Sequence, residues 1–184
     1  MSIDDAFDRR TLGIPVEVCI ATRSLQRTIE ELSRIGVGPW RIYRFDAATV
    51  ADRRSFGEPD PYEIDVAFAE HGPLIWEVME PLRGARALAD ALEGKEAAWH
   101  HIAFDRSSQP FAARLEHLRG LGAKPVLSGV WLGRVPFEFF SLPAMPSVVL
   151  EAYAFPAGFE YPDPVRWYPD REAVRPAGGP MPSA

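Results

Sequence analysis

Four residues of this sequence are best placed to do chemistry: Glu17, Glu77, His101 and Glu151. Each is a polar residue in an apolar run, VEVCIA around Glu17, LIWEV around Glu77, WHHIAF around His101 and VVLEA around Glu151. A carboxylate in such a run is costly to bury unless it is paired, protonated or bound to a metal. All three of these outcomes are open for Glu77 and Glu151, the most informative acids of the sequence. A solvent-facing edge strand is the ordinary alternative for any one of them.

The elements that must position these residues repeat. VEVCIATRSLQRTIEELSRIGVGPW from Val16 resembles HHIAFDRSSQPFAARLEHLRGLGAKP from His100. Each segment opens with a β-rich run (Val16 to Ala21; His100 to Phe104). A polar break follows (Thr22-Arg23-Ser24; Arg106-Ser107-Ser108), and then a helical pattern. Leu25, Ile29 and Leu32 recur at helical spacing in the first, and Phe111, Leu115 and Leu118 in the second. Ser24 and Ser108 are expected N-caps, and Pro110 suits a first helical turn. Ile35-Gly36 and Leu121-Gly122 are stop signals. Strand-like runs follow at Trp40 to Phe45, Tyr62 to Ala69 and Leu74 to Met79, and again at Pro125 to Leu127, Pro136 to Phe140 and Val148 to Tyr153. The order β-α-β-β-β thus occurs twice, in an α+β chain. A single domain over 1–155 is expected, with repeats at about 14–80 and 99–155 joined through Pro81 to Ala98, where ALADALEG predicts a short helix. Superposing the repeats sets Glu17 opposite His101 on the opening strand and Glu77 opposite Glu151 on the closing strand. Because alternate strand residues share a face, two such sheets would bring all four into one concave surface. The Pro-rich tail, 156–184, is expected to wrap over the body to about Pro169 through Phe159, Tyr161, Trp167 and Tyr168, with disorder beyond.

Composition narrows the function. The chain has 184 residues, 47% hydrophobic and 25% charged, with a net charge of −6. That suits one globular domain and argues against nucleic acid, which would call for a basic stripe. One cysteine, Cys19, excludes an internal disulfide and a cysteine-built zinc site. Met1 to Arg10 lacks the apolar core of a secretory leader, and no run is long enough for a membrane span. A cytoplasmic protein without membrane or nucleic-acid partners is therefore expected.

In the order and spacing of VEVCIATRSLQRTIE, IWEVMEPLRG, WHHIAFD and FEFFSLPAMPSVVLEAY, the chain resembles the vicinal-oxygen-chelate superfamily. That superfamily includes glyoxalase I, methylmalonyl-CoA epimerase, extradiol dioxygenases and bleomycin-resistance proteins, and the resemblance is nearest to the glyoxalase- and epimerase-like members. It covers about Ile14 to Phe155 and implies paired βαβββ modules forming a cupped mixed sheet around a divalent metal, in a homodimer. By motif it assigns His101, Glu77 (four residues before Pro81) and Glu151 as ligands. Glu17 falls where the family usually has His or Gln.

With all four bound, the ligands would carry a charge of −3 and a divalent ion would leave the site at −1. Mn²⁺ and Mg²⁺ suit such an oxygen-rich site, and Co²⁺, Ni²⁺, Fe²⁺ and Zn²⁺ are compatible. The resemblance implies a metal-dependent isomerase, epimerase or lyase. The metal would polarise a carbonyl of a small-molecule substrate, and a carboxylate would remove the adjacent proton, with Glu17 and Glu151 as the catalytic pair. Two alternatives are a metal-free ligand-binding protein of the resistance type and a metal-independent lyase or cyclase using the carboxylates. Dioxygenase chemistry is disfavoured, since it generally needs two histidines and one carboxylate. His100 is expected on the face opposite His101, as a packing residue or behind the ligands. His71 is expected in a solvated turn and His117 on a helix surface.

Aromatic residues are expected to wall the cup: Trp40, Tyr43, Phe45, Phe68, Trp76, Phe137, Phe139 and Phe140. They favour a bulky apolar or aromatic substrate. Trp40, Tyr43, Trp76, Phe139 and Arg134 are the expected substrate-binding residues. Arg41, Arg44 and Arg134 could pair with an anionic group, and Asp65 is a further candidate acid. No activating base is expected beside Cys19.

Overall fold

The computed structural model describes residues 12–105 and 107–170. Residues 1–11, Arg106 and the tail beyond residue 170 lie outside the described residues, as do the expectations placed on them. Among the described residues, no helix is long and apolar enough to cross a membrane.

The first unit comprises β1 (Ile14–Thr22), α1 (Leu25–Arg34), β2 (Trp40–Phe45), β3 (Val50–Ser55), β4 (Glu58–Pro59), β5 (Glu63–His71) and β6 (Leu74–Arg83). After α2 (Arg86–Ala91), the second comprises β7 (Ala97–Asp105), α3 (Phe111–Gly120), β8 (Lys124–Trp131), β9 (Val135–Leu142) and β10 (Met145–Tyr153), with β11 (Arg166–Tyr168) at the end. All the strands join one mixed sheet in the order β11-β2-β5-β6-β1-β7-β10-β9-β8-β3-β4. The two βαβββ units are legible in that order. β2-β5-β6-β1 meets β7-β10-β9-β8 through the antiparallel β1–β7 pair. In each unit the opening strand runs parallel to the closing one.

Local sequence explains the ends of the helices. The Ser24 hydroxyl accepts from the Arg27 N–H at the start of α1, and Gly36 and Gly122 take the positive φ that stops α1 and α3. Ser108 does not cap α3. Pro110 is the N-cap, and the Ser107 hydroxyl instead accepts from the Gln109 N–H at 3.1 Å. Pro110 itself is extended, with ψ 143°, so α3 begins at Phe111 rather than taking the proline into its first turn.

Two additions modify the expected order. The polar stretch VADRRS forms β3, which crosses from the first unit to pair with β8 of the second. The C-terminal β11 returns to pair with β2 at the opposite edge. Each free edge of the cup is thereby covered by a short strand rich in arginine or proline, a composition suited to an edge.

Strand alternation sorts the core into three clusters. Leu25, Ile29, Trp40, Ile42 and Val78 pack under α1 on the convex side. Leu115, Leu118, Phe140 and Ala152 pack under α3. The largest cluster fills the concave side and includes Tyr43, Phe45, Phe68, Trp131, Phe137 and Phe139. At roughly 25 cal/mol per Å² of apolar surface, burying these large rings contributes heavily to the stability of the cup.

Candidate metal centre

The register of the four central strands assembles the site. Across β1 and β6, Glu17 lies opposite Ile75 and Cys19 opposite Glu77. Across β7 and β10, His101 lies opposite Val149 and Ala103 opposite Glu151. Glu77 and Glu151 thus each stand two residues beyond the partner of the opening-strand residue, as a twofold arrangement of the units requires. Between the units, Glu17 faces Ala103 and Cys19 faces His101. The small side chains Cys19 and Ala103 leave the centre of this floor open.

All four candidate side chains are buried. One ligand-type atom from each lies within 4.8 Å of the other three. The His101 Nε2 stands 3.0 Å from Glu151 Oε2, 3.2 Å from Glu77 Oε2 and 3.9 Å from Glu17 Oε1. Yet Nε2 of His101 and Oε2 of Glu77 make no hydrogen bond. The atoms are close enough to bond but do not point along each other's bonding directions. Buried polar atoms left in that condition are expensive, and donors converging on a common point are what a cation requires. The residues present therefore fit a divalent ion with oxygen-rich, singly imidazole coordination.

The electrostatics agree. Burial, reinforced by the charge of Glu77, pushes the Glu17 carboxyl well above the usual range. Burial likewise pushes Glu151 up to about 7, against the opposing pull of His101. Burial disfavours charge on His101, but Cys19 and Glu151 outweigh it and the net direction is upward. Without a cation the cluster must take up protons.

His100 departs from expectation. A bulge in the β1–β7 pairing sets Cys19 opposite His101 and Ile20 opposite Trp99, leaving His100 as the extra residue. Both imidazoles therefore turn inward, with Nδ1 of His100 and Nδ1 of His101 at 2.9 Å. Burial, with His101 beside it, holds His100 down to about 3, so it is neutral and can accept. His101 donates through Nδ1 and keeps Nε2 for the carboxylates, the usual way a ligating imidazole is oriented. Cys19 also has a base beside it, contrary to expectation, since its sulfur lies within 4.8 Å of nitrogens of both histidines. Burial nevertheless pushes its thiol well up, which disfavours the reactive thiolate.

The expected wall residues divide between the two faces of the sheet. Phe45, Phe68, Phe137 and Phe139 line the inner cavity beside Glu17, Glu77 and Glu151. Tyr43 is buried behind that lining and touches Phe68 and Trp131. Trp40 and Trp76 belong to the convex side, where both pack with the α1 cluster, and Phe140 packs under α3. Alternation puts Trp76 on the face opposite its neighbour Glu77. Arg41 pairs with Glu70 at 2.8 Å and Arg44 with Asp65 at 2.5 Å. Arg134 lies over the Phe159 ring at 5.6 Å and lines neither this cavity nor the one beside it. His71 and His117 are exposed.

Sequence reasoning missed Trp131, Tyr153, Phe155 and Tyr161, which complete the inner lining. The aromatic spacing of AYAFPAGFEY was the available signal for the last three.

Fold and site together define a class, the paired βαβββ proteins, here with histidine and carboxylate side chains converging on the floor of the cupped sheet. More specifically, the sequence model of the Glyoxalase/Bleomycin resistance protein/Dioxygenase superfamily matches residues 17–137, well over half of the chain, and the chain belongs to that superfamily. Its fold is similar to that of a hypothetical protein, BH1468, from Bacillus halodurans C-125 (17% identity, 80% of this chain and 98% of that one, TM-score 0.55). It is also similar to methylmalonyl-CoA epimerase from Mycobacterium tuberculosis (16% identity, 79% and 90%, TM-score 0.56). A third similar structure is a single-residue variant of the Streptomyces coelicolor methylmalonyl-CoA epimerase in complex with 2-nitronate-propionyl-CoA (19% identity, 82% and 99%, TM-score 0.54). No curated protein sequence matches the chain.

Proposed function

We propose that this chain is a metal-dependent isomerase, epimerase or lyase that removes a proton from a carbon next to a carbonyl, acting on a fairly bulky apolar or aromatic substrate. The observation that carries this reading is the convergence of four buried ligand-type atoms within 4.8 Å, two of them without a hydrogen-bond partner. Proton transfer beside a carbonyl is also the chemistry of an epimerase, the activity named for two of the similar structures.

The distances divide the labour. His101, Glu77 and Glu151 are the holding group, since both carboxylates approach Nε2 within 3.2 Å. Glu17, at 3.9 Å, is the carboxylate freest to accept a proton. A bound divalent ion would polarise the substrate carbonyl and stabilise negative charge on its oxygen. Glu17 takes the proton in a dry site that favours its neutral form, which raises its basicity towards neutral pH. Glu151, from the other unit, is the candidate for returning a proton from the opposite side, a role that would require it to be protonated and off the ion. His100 keeps the His101 ring in place through Nδ1.

Elemental analysis of the purified protein tests the metal. Deuterium incorporation next to the carbonyl of aromatic ketones in D₂O tests the proton transfer. The expected result is exchange that stops on chelation, returns with Mn²⁺ or Co²⁺, and is lost in Glu17→Gln. Exchange indifferent to chelation, or unaffected by Glu17→Gln, would overturn the assignment.

A further inference from the structure

The inner cavity next to the carboxylates has a volume of about 40 Å³. A few waters fill such a space, whereas an apolar cavity of roughly 150 Å³ is needed for a benzene ring. A second cavity of about 350 Å³ adjoins it, lined by Val16 and Ile75 from the opening of the cup and by residues of the C-terminal strap. Its size is that of a small-molecule site. Tyr153, Phe155 and Tyr161 line both cavities. Tyr153 is fixed in β10, so Phe155 and Tyr161, both on the strap, are the removable part of the partition.

The strap is tied at its ends and loose between them. The Ala154 N–H donates to the Pro136 carbonyl, the Tyr43 hydroxyl to the Pro162 carbonyl at 3.1 Å, and the Val165 N–H to the Ile42 carbonyl. From Phe155 to Tyr161 the segment makes a turn of its own, Phe159 N–H to Pro156 carbonyl, at a positive-φ Gly158. It holds to the body through rings, with Tyr161 against Phe68 and Trp131 and Phe159 against Trp131. A segment secured by side-chain contacts between two hydrogen-bonded anchors belongs to the low-energy end of local opening.

Charge limits what can enter. The inner cavity is lined by three glutamates and the outer one by Asp105, and among the described residues neither is lined by lysine or arginine. The nearby Arg41 is stacked on Tyr161 and paired with Glu70. A carboxylate or phosphate on the ligand would find no lysine or arginine in the lining to pair with, whereas an aromatic ring would meet rings.

We infer that the two cavities are the halves of one binding site divided by the strap, that Tyr161 is its specificity-determining partition, and that its ligand is an uncharged aromatic carbonyl compound. The carbonyl end reaches the glutamates when Tyr161 swings outward, and the far end stays in the outer cavity. The choice of a carbonyl rests on the function proposed above, but the site and its preference for an uncharged ring do not.

Stopped-flow quenching of tryptophan emission, to which Trp131 of the inner lining contributes, tests this, with 2-acetylnaphthalene as the neutral probe and 2-naphthoate as its anionic counterpart. Both are measured with EDTA and with Mn²⁺. The wild-type protein is expected to bind the ketone at least tenfold more tightly than the carboxylate in EDTA. Tyr161→Ala is expected to speed ketone association at least tenfold by merging the cavities, and Tyr161→Leu, which preserves more of the packing, to do so by a smaller factor. Equal affinity for both probes, or association rates unchanged in both variants, would overturn the inference. Ketone binding in EDTA with no Mn²⁺ bound to the protein would sink the metal reading while leaving this site standing. Mn²⁺ binding without a preference for the ketone would do the reverse.

Discussion

Replacing Glu151 by glutamine removes one of three mutually repelling carboxylates while keeping its shape. In the metal-free protein the folded state raises Glu151 from 4.5 to about 7. Between those values the folded chain holds a proton that the unfolded chain has released. The stability contributed by that proton is fully present below the unfolded value and is lost as the pH rises through the folded one. At roughly 1.36 kcal/mol per pKa unit, the loss amounts to about 3 kcal/mol by about pH 8. Glutamine stays neutral throughout. Urea unfolding in EDTA should therefore show Glu151→Gln matching the wild type near pH 4.5 and exceeding it by about 3 kcal/mol near pH 8. Saturating Mn²⁺ should reverse the order, because an ion at ~1,000 times its Kd adds about 4 kcal/mol to the protein that binds it, and the variant has lost a ligand. A variant less stable than the wild type at pH 8 in EDTA, or a difference that is flat with pH, would refute the reasoning.

Three further substitutions probe the scaffold. A Cβ on Gly129 would lie 2.6 Å from Val50 Cγ1 and 2.9 Å from Phe137 Cζ, so Gly129→Ala should cost about 1–3 kcal/mol in thermal or urea unfolding. Arg114 is buried in α3 and donates to the carbonyls of Tyr153, Leu12 and Phe104. Arg114→Met should destabilise by roughly 2–4 kcal/mol in the same assays, because those carbonyls lose their donor. His100→Ala removes the acceptor beside His101 Nδ1 and should weaken Mn²⁺ binding, measured by calorimetry, by roughly 10–100-fold.

Much of the fold was legible because periodicity and repetition agree. The apolar spacing of Leu25, Ile29 and Leu32 and the glycine stops set α1, and superposing the repeats pairs Glu17 with His101 and Glu77 with Glu151. What was not legible has particular causes. The inward turn of His100 depends on one extra residue in the β1–β7 pairing, which strand alternation in a single sequence does not show. β3 is held by backbone pairing to β8 rather than by an apolar face, so the polar VADRRS carries no strand signal. Arg114 occupies a buried position of α3 because three backbone carbonyls converge there, a tertiary circumstance. Residue type alone places Trp40 and Trp76 in the cup, whereas the alternation next to Ile42 and Glu77 decides their face. Tyr161 reaches the site only because the strap folds back across the cup.

The convergence of Glu17, Glu77, His101 and Glu151 on a divalent cation is the claim on which the functional reading stands. Titrating the metal-free protein with Co²⁺, followed by calorimetry and by visible absorption, tests it most directly. One ion per chain, with affinity reduced at least a hundredfold in both Glu77→Ala and His101→Ala, is the predicted result. No saturable binding at millimolar Co²⁺, or binding that survives both substitutions, would contradict it.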